Sequence, residues 1–258
     1  MARESKKETS SSRKMLRRIA VVVAGAAIIS AAAVYLLHRY AVSDRQFVFS
    51  RERRDALTID GLRYASRAKV QRIFADDTDR SVFSVPLEER RRRLLAIDWV
   101  EDAAVSRVWP DRLAVRITER KPVAFVLVES TVMLIDSHGM LLEPPARASF
   151  AFPVLSGIRA GDSPAARLEA VNTLLRVESE LGPLMKDVSE VNVGDRNNLH
   201  AIAQVEGRTL ELILGDENLG ARFQNFLNHY AEVRKRAPDK TVFDLRLDDR
   251  ILAEGTGF

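Results

Sequence analysis

The 258-residue chain carries a formal net charge of +4 and a pI near 9.5, but residues 1–18 hold seven Lys and Arg against two Glu, a net of +5 that leaves −1 for everything after them. A body that close to neutral lacks the broad basic footprint of a nucleic-acid binder. There is no cysteine, which excludes disulfides, thiolate nucleophiles and Cys-ligated metal centres, and the length calls for two modest domains plus a tail.

The basic block at 1–18 runs directly into "IAVVVAGAAIISAAAVYLL", from Ile19 to Leu37, which contains no charged residue. At 1.5 Å per residue this makes a helix of about 28 Å, close to the roughly 30 Å hydrocarbon core of a bilayer, so it can span a membrane once. Positive charge is concentrated before the span, which puts the N-terminus in the cytoplasm and the remainder outside. The small-residue run Ala31-Ala32-Ala33 offers the competing reading of a cleaved signal peptide. An apolar region longer than the usual 7 to 15 residues, roughly, favours an uncleaved anchor.

After a polar juxtamembrane linker, 38–54, "DALTID" (55–60) alternates apolar and polar residues before Gly61 and reads as a strand. Ser66 is placed to cap a helix whose Val70, Ile73 and Phe74 share one face. "DDTD" (76–79) lacks the Gly and terminal Glu of a calcium loop and is expected to be a solvated loop. Pro86 opens a second helix with Leu87, Leu94 and Leu95 along one side. "EERRRR" (88–93) falls on the other as a solvated face, with Glu88–Arg92 and Glu89–Arg93 as supporting pairs. Then "AAVSRV" meets Trp109-Pro110-Asp111 and returns as "RLAVRITER", a hairpin whose second arm buries Leu113, Val115 and Ile117. Val105 and Val108 are three apart in the first arm, which points to a bulge or a partly exposed strand.

The run "LLAIDWVEDAAVSRVWPDRLAVRITERKPVAF", with "LIDSHGMLL" and "VFDLRL" further on, resembles the FtsQ/DivIB family of bacterial cell-division proteins. The resemblance covers residues 16–253 and implies an α+β chain. After the single membrane helix (19–37) comes a POTRA domain of β-α-α-β-β order (55–121). A mixed, mostly antiparallel β domain with flanking helices (122–253) follows, and then a short tail (254–258).

In the second domain "VAFVLV", Glu129-Ser130 and "TVMLID" form a hairpin, and Ser137-His138-Gly139 marks the next turn. Adjacent Ser and His rarely meet in nucleophile–base geometry, and no G-x-S-x-G elbow accompanies them. Ser163-Pro164 opens a helix with Leu168, Val171, Leu174, Leu175 and Leu181 as its buried stripe. "LHAIAQV" and "RTLELIL" pair around Glu206-Gly207. Leu219, Phe223, Phe226, Leu227 and Tyr230 then mark a helix whose aromatics serve the core. "TVFDLRL" (241–247) reads as a strand with Phe243, Leu245 and Leu247 inward and Asp244 and Arg246 outward.

The resemblance assigns the terminal strands of the β domain and the neighbouring helix to partner binding; the competing reading is that 241–247 is an internal, covered strand. An FtsB/DivIC-type protein would add a strand along Thr241, Val242, Phe243, Asp244, Leu245, Arg246 and Leu247, with Asp249, Ile251 and Leu252 contributing. Arg246 matches the arginine of the family's "DLR" motif, which contacts an acidic partner residue, and Leu247 stands where an aromatic is common. FtsL-type proteins are implied as further partners of the β domain, and other divisome proteins of the POTRA domain and membrane helix.

No catalytic, cofactor or metal constellation is expected. The four histidines are scattered, there is no phosphate loop or dinucleotide fingerprint, and Asp248-Asp249 are adjacent acids of the kind usually just solvated. The expected function is a non-catalytic, single-pass scaffold of the inner membrane, acting at the division septum without a small-molecule substrate. Two rival readings are a membrane-anchored wall hydrolase and a POTRA-containing outer-membrane assembly or secretion component.

Overall fold

A computed structural model describes residues 5–50, 53, 55–146, 148–247 and 250–254. The first element is a single long helix, α1 (Ser5–Ser43), which runs through the apolar span without interruption. Its segment Arg18–Leu37 is long and apolar enough to cross a membrane and is not buried against the rest of the protein.

Residues 1–62, 66–96 and 102–118 group as one unit. Its elements are β1 (Leu57–Asp60), α2 (Arg67–Ile73), α3 (Leu87–Leu95), β2 (Val100–Val108) and β3 (Arg112–Glu119), the expected strand-helix-helix-strand-strand order. The sheet order is β1-β3-β2, with β1 parallel to β3 and Leu57 opposite Leu113. Ser66 Oγ accepts from the Lys69 N–H at the start of α2, the cap the sequence called for. Val70, Phe74, Leu94, Leu113 and Val115 form the core under the sheet. The first arm of the hairpin is an edge strand, which accounts for its partial exposure. Gly61 sits at φ +87°, and a Cβ there would lie 1.9 Å from the Ile117 carbonyl oxygen, so only glycine lets the chain leave β1 this close to β3.

Two expectations for this unit are corrected. Within 38–54, Phe47 and Phe49 are buried, and Val48 bridges to Ser81, so the polar juxtamembrane stretch contributes to the packed unit. The loop "DDTD" and the run "EERRRR" are not wholly solvated. Asp77 and Arg90 are buried in a two-pronged ion pair, Nε to Oδ2 at 2.6 Å and Nη2 to Oδ1 at 2.8 Å. The helical period explains it: Arg90 is three residues after Leu87 and four before Leu94, on the inward face, and its charge can be buried because Asp77 completes its hydrogen bonding. The Asp77 hydrogen bonds, against the opposing effect of burial, raise the Arg90 pKa further.

Residues 63–65, 97–101 and 119–258 form the second unit. Its strands are β4 (Pro122–Val128), β5 (Thr131–Asp136), β6 (Leu141–Leu142), β7 (Val154–Ser156), β8 (Val188–Asn192), β9 (Leu199–Val205), β10 (Arg208–Gly215), β11 (Val242–Asp244) and β12 (Leu252–Glu254). They form one sheet in the order β12-β11-β10-β9-β8-β7-β4-β5-β6. Most neighbours are antiparallel, while β4/β7, β7/β8 and β10/β11 run parallel. The hairpin turns Glu129-Ser130 and Glu206-Gly207 have positive φ at both residues, the geometry that matches the twist of two-residue hairpins.

Helices α4 (Pro164–Leu181) and α5 (Leu219–Arg236) lay their apolar faces on this sheet. Ser163 Oγ caps α4 by accepting from the Ala166 N–H. The buried stripe of α4 is Ala170, Val171, Leu174, Val177 and Leu181; Leu168 is 38% exposed and Leu175 only partly buried, because the stripe is phased one step round the helix from the leucines. On α5, Leu219, Phe223, Phe226 and Tyr230 are buried as expected, with Phe226 5.2 Å from the Phe243 ring.

Two of the sequence's fingerprint phrases meet within this unit. Arg120, from "ERKP", reaches Asp136 of "LIDSHG" at 2.8 Å. The second oxygen of Asp136 accepts from the backbone N–H groups of His138 and Met140. Glu119 accepts from the backbone N–H groups of Arg63, Tyr64 and Ala65. These residues are joints: their charges are consumed in holding turns.

Candidate partner-binding edge

Of "TVFDLRL", only Val242–Asp244 are in a strand. Thr241 accepts from the Glu211 N–H, and Val242, Phe243 and Asp244 pair with Glu211, Leu212 and Ile213 of β10. The Leu245 N–H still reaches the Ile213 carbonyl at 2.9 Å, after which the chain leaves the sheet. Asp244 turns it away: its Oδ1 accepts from the Arg246 backbone N–H at 3.0 Å, and both its oxygens accept from the Arg246 guanidinium at 2.6 to 3.1 Å. An Asp that bonds the backbone two residues on makes an Asx-type turn in place of ladder pairing.

That turn overrides the expected alternation. Asp244 is buried rather than outward, satisfied by Arg246, while Leu247 is 46% exposed rather than inward. The hydrogen bonds from Arg246 hold the Asp244 carboxyl below its usual range, against a smaller opposing effect of burial. Arg246, held by Asp244, keeps its side chain about half exposed, at 47%.

The chain then returns as β12, antiparallel to β11, with Leu252 opposite Asp244, Ala253 opposite Phe243 and Glu254 opposite Val242. β11 therefore lies between β10 and β12, and the sheet's margin on this side is β12. The picture of 241–247 as the margin strand is corrected accordingly: the strand is covered on one side by β10 and on the other by the chain's own return. Among the described residues, a further strand on this side of the sheet would pair along 252–254.

The residues expected to bind a partner separate into two groups. Val242, Phe243, Asp244 and Leu245 are buried, and Thr241 is half-buried. Arg246, Leu247 and Leu252 are exposed and Ile251 is half-buried. Asp249, like Asp248 beside it, lies outside the described residues.

Two adjoining grooves run between α5 and this returning segment. One, of about 280 Å³, is lined by Asn218, Ala221, Arg222 and Asn225 against Leu245, Leu247 and Ile251. The other, of about 410 Å³, lies along His229, Glu232, Val233 and Arg236 against Arg250, Ile251 and Ala253. The resemblance implies a part for the helix beside the last strand but names no residue of α5, although the signal for them is there. Residues 218, 222, 225, 229, 232 and 236 recur every three or four positions, tracing a second face of the helix whose other face is the aromatic stripe. The result is an open sheet margin beside a mixed apolar and charged trough, a geometry suited to receiving an extended segment and a helix of another chain.

The Asp136-Ser137-His138 sequence shows no comparable arrangement. Ser137 Oγ and His138 Nδ1 are 3.4 Å apart in an exposed turn, and the Asp136 carboxylate is engaged by Arg120 and two backbone N–H groups. Among the described residues no group of three His, Asp or Glu is placed to hold a metal ion.

Comparison with known proteins adds two family matches. Residues 55–120 match the model described as POTRA domain, FtsQ-type. Residues 124–246 match that of the Cell division protein FtsQ/DivIB, C-terminal. A protein named cell division protein FtsQ from Koribacter versatilis is 33% identical over 82% of this chain and 63% of its own length. One of the same name from Novosphingobium aromaticivorans is 30% identical over 76% of this chain and 59% of its own. The Shewanella oneidensis FtsQ is 30% identical over 86% of this chain and 79% of its own. The chain thus spans less than two thirds of the length of the first two relatives.

Proposed function

The chain belongs to the FtsQ family of cell-division proteins, and on that footing we propose that it is a non-catalytic membrane scaffold that joins early and late division proteins. Its apolar helix anchors it in the inner membrane with the N-terminus in the cytoplasm, and the two units act on the outer side at the septum. The first unit and the membrane helix serve recruitment by other divisome proteins. The second unit receives FtsB/DivIC-type and FtsL-type partners and through them bears on septal peptidoglycan synthesis. The reading calls for no cofactor and no small-molecule substrate.

The observation that carries this is the open β12 margin beside the α5 trough, with Arg246 held half-exposed by a buried Asp244. Strand addition satisfies the unpaired backbone groups of such a margin, and the flanking trough supplies side-chain selectivity. A guanidinium already held by Asp244 and still about half exposed loses little freedom on meeting an acidic partner residue.

The test places photo-crosslinking residues singly at Leu247, Ile251, Leu252 and Ala253 of the full chain in dividing cells, with Ser189 on β8 as a distant control. The expected product is a small coiled-coil membrane protein captured at the four positions and not at Ser189. Capture of that protein only elsewhere, or peptidoglycan cleavage by the purified chain, would overturn the reading.

A further inference from the structure

The hairpin tip at Trp109 carries an exposed indole that the partner-binding reading does not use. Trp109 is 71% exposed, Tyr40 58% and Phe83 40%, and all three surround the buried ring of Phe47. The Phe47 centroid lies 6.3 Å from that of Tyr40, 5.2 Å from Phe83 and 6.4 Å from Trp109. Three large, exposed aromatics around one buried ring make a concentrated apolar surface of a kind soluble domains seldom leave open without a use.

Its position on the chain identifies what covers it. The apolar span ends at Leu37, and Tyr40 follows three residues later on the same helix, about 4.5 Å further along at the helical rise. The polar layer on each side of the hydrocarbon core is about 5 to 8 Å deep, so Tyr40 falls at headgroup level. Helix α1 also lies against the 3-10 turn Val82–Ser84, which carries Phe83. The hairpin is fastened to that turn by Arg107, whose guanidinium donates to the carbonyls of Val82, Phe83 and Val85. The helix end, the turn and the hairpin tip are thereby held as one surface. Trp and Tyr favour the membrane–water boundary, where one side of the ring is apolar and the other wet.

We propose that Tyr40, Phe83 and Trp109 form an aromatic collar that seats the first unit in the lipid headgroup layer where α1 leaves the bilayer. The collar rests on the reading of α1 as a membrane anchor. It limits how far the first unit can swing from the membrane surface, and so presents the unit to other membrane-embedded proteins at a fixed height. Arg39, next to Tyr40 on α1, adds positive charge at the same level, where lipid phosphates lie.

The chain has two tryptophans, and Trp99, 6% exposed with its Nε1–H donating to the Glu143 carbonyl, serves as the internal reference. The full chain is reconstituted in phosphatidylcholine/phosphatidylglycerol vesicles containing lipids that carry a quencher near the headgroup. Wild-type emission is expected to be blue-shifted and quenched, and the quenched component to vanish in Trp109→Phe, a substitution at an exposed tip that spares the core. A Tyr35→Trp substitution in the Trp109→Phe background, probed with quenchers deep in the acyl chains, reports whether α1 is inserted. If residue 35 is quenched while the Trp109 component ignores the headgroup label, the collar is overturned and the anchor stands. If residue 35 is not quenched either, both fall.

Discussion

Truncating Asp77 to Ala strips a buried guanidinium of its partner, and the structure sets the scale of the damage. The Asp77 and Arg90 side chains are 0% and 5% exposed, and the pair makes two charge-assisted hydrogen bonds at 2.6 and 2.8 Å. Removing one member of such a pair costs about 3–5 kcal/mol, because the remaining charge stays buried and uncompensated. Replacing both by apolar residues of similar volume, as in Asp77→Leu with Arg90→Met, is expected to restore most of the loss, since neither charge is then left to desolvate. Amide hydrogen exchange on the full chain in detergent micelles reads this locally, over α2 and α3. At about 1.4 kcal/mol per tenfold, the single substitution is expected to lower protection there by at least about a hundredfold. A loss under tenfold, or a double variant as labile as the single one, would refute the assignment of this pair as a buried, mutually dependent unit.

Two further expectations follow from local geometry. Gly61→Ala forces a Cβ against the Ile117 carbonyl at a positive φ, a strain on the order of 1–3 kcal/mol before any steric shift; the thermal midpoint is expected to drop by several degrees, and an unchanged midpoint would mean β1 has room that the structure denies it. The Asp244 carboxyl is held below its ordinary value chiefly by its hydrogen bonds from Arg246, so its contribution to stability is full above the unfolded carboxylate pKa of about 3.9 and is lost as the pH falls through the lower folded value. Acid unfolding of the second unit is therefore expected to be shallower in pH for Asp244→Asn than for the wild type, and superimposable curves would count against the pair.

Local chemistry was the legible part of the sequence. Capping serines at 66 and 163, two-residue turns at 129–130 and 206–207, and the aromatic stripe of α5 are decided by neighbours within about one helical turn or one hairpin, and the structure places them as read. Distant partners hid the rest. The helical period puts Arg90 on the inward face of α3, but only the contact with Asp77, thirteen residues before it, lets its charge be buried there. The short strand β7 takes its identity from parallel pairing with β4 and β8, which no turn signal announces. The segment 241–247 shows the same limit at the site itself. Its alternation is a sound strand signal, but the Asp244–Arg246 bond ends the strand early and the returning β12 takes the margin. The interface reading therefore moves from the strand that carries the motif to the strand laid beside it.

The absence of cysteine from the chain allows the most direct test of that placement. Single cysteines introduced in turn at Arg250, Ile251, Leu252 and Ala253 of the membrane-reconstituted chain would be paired, under mild oxidation, with single cysteines walked along the extended segment of an FtsB/DivIC-type partner. Strand addition on β12 is expected to give disulfides that alternate with a period of two along both chains and follow one register diagonal. Disulfides without alternation, or none at Leu252 and Ala253, would contradict the account.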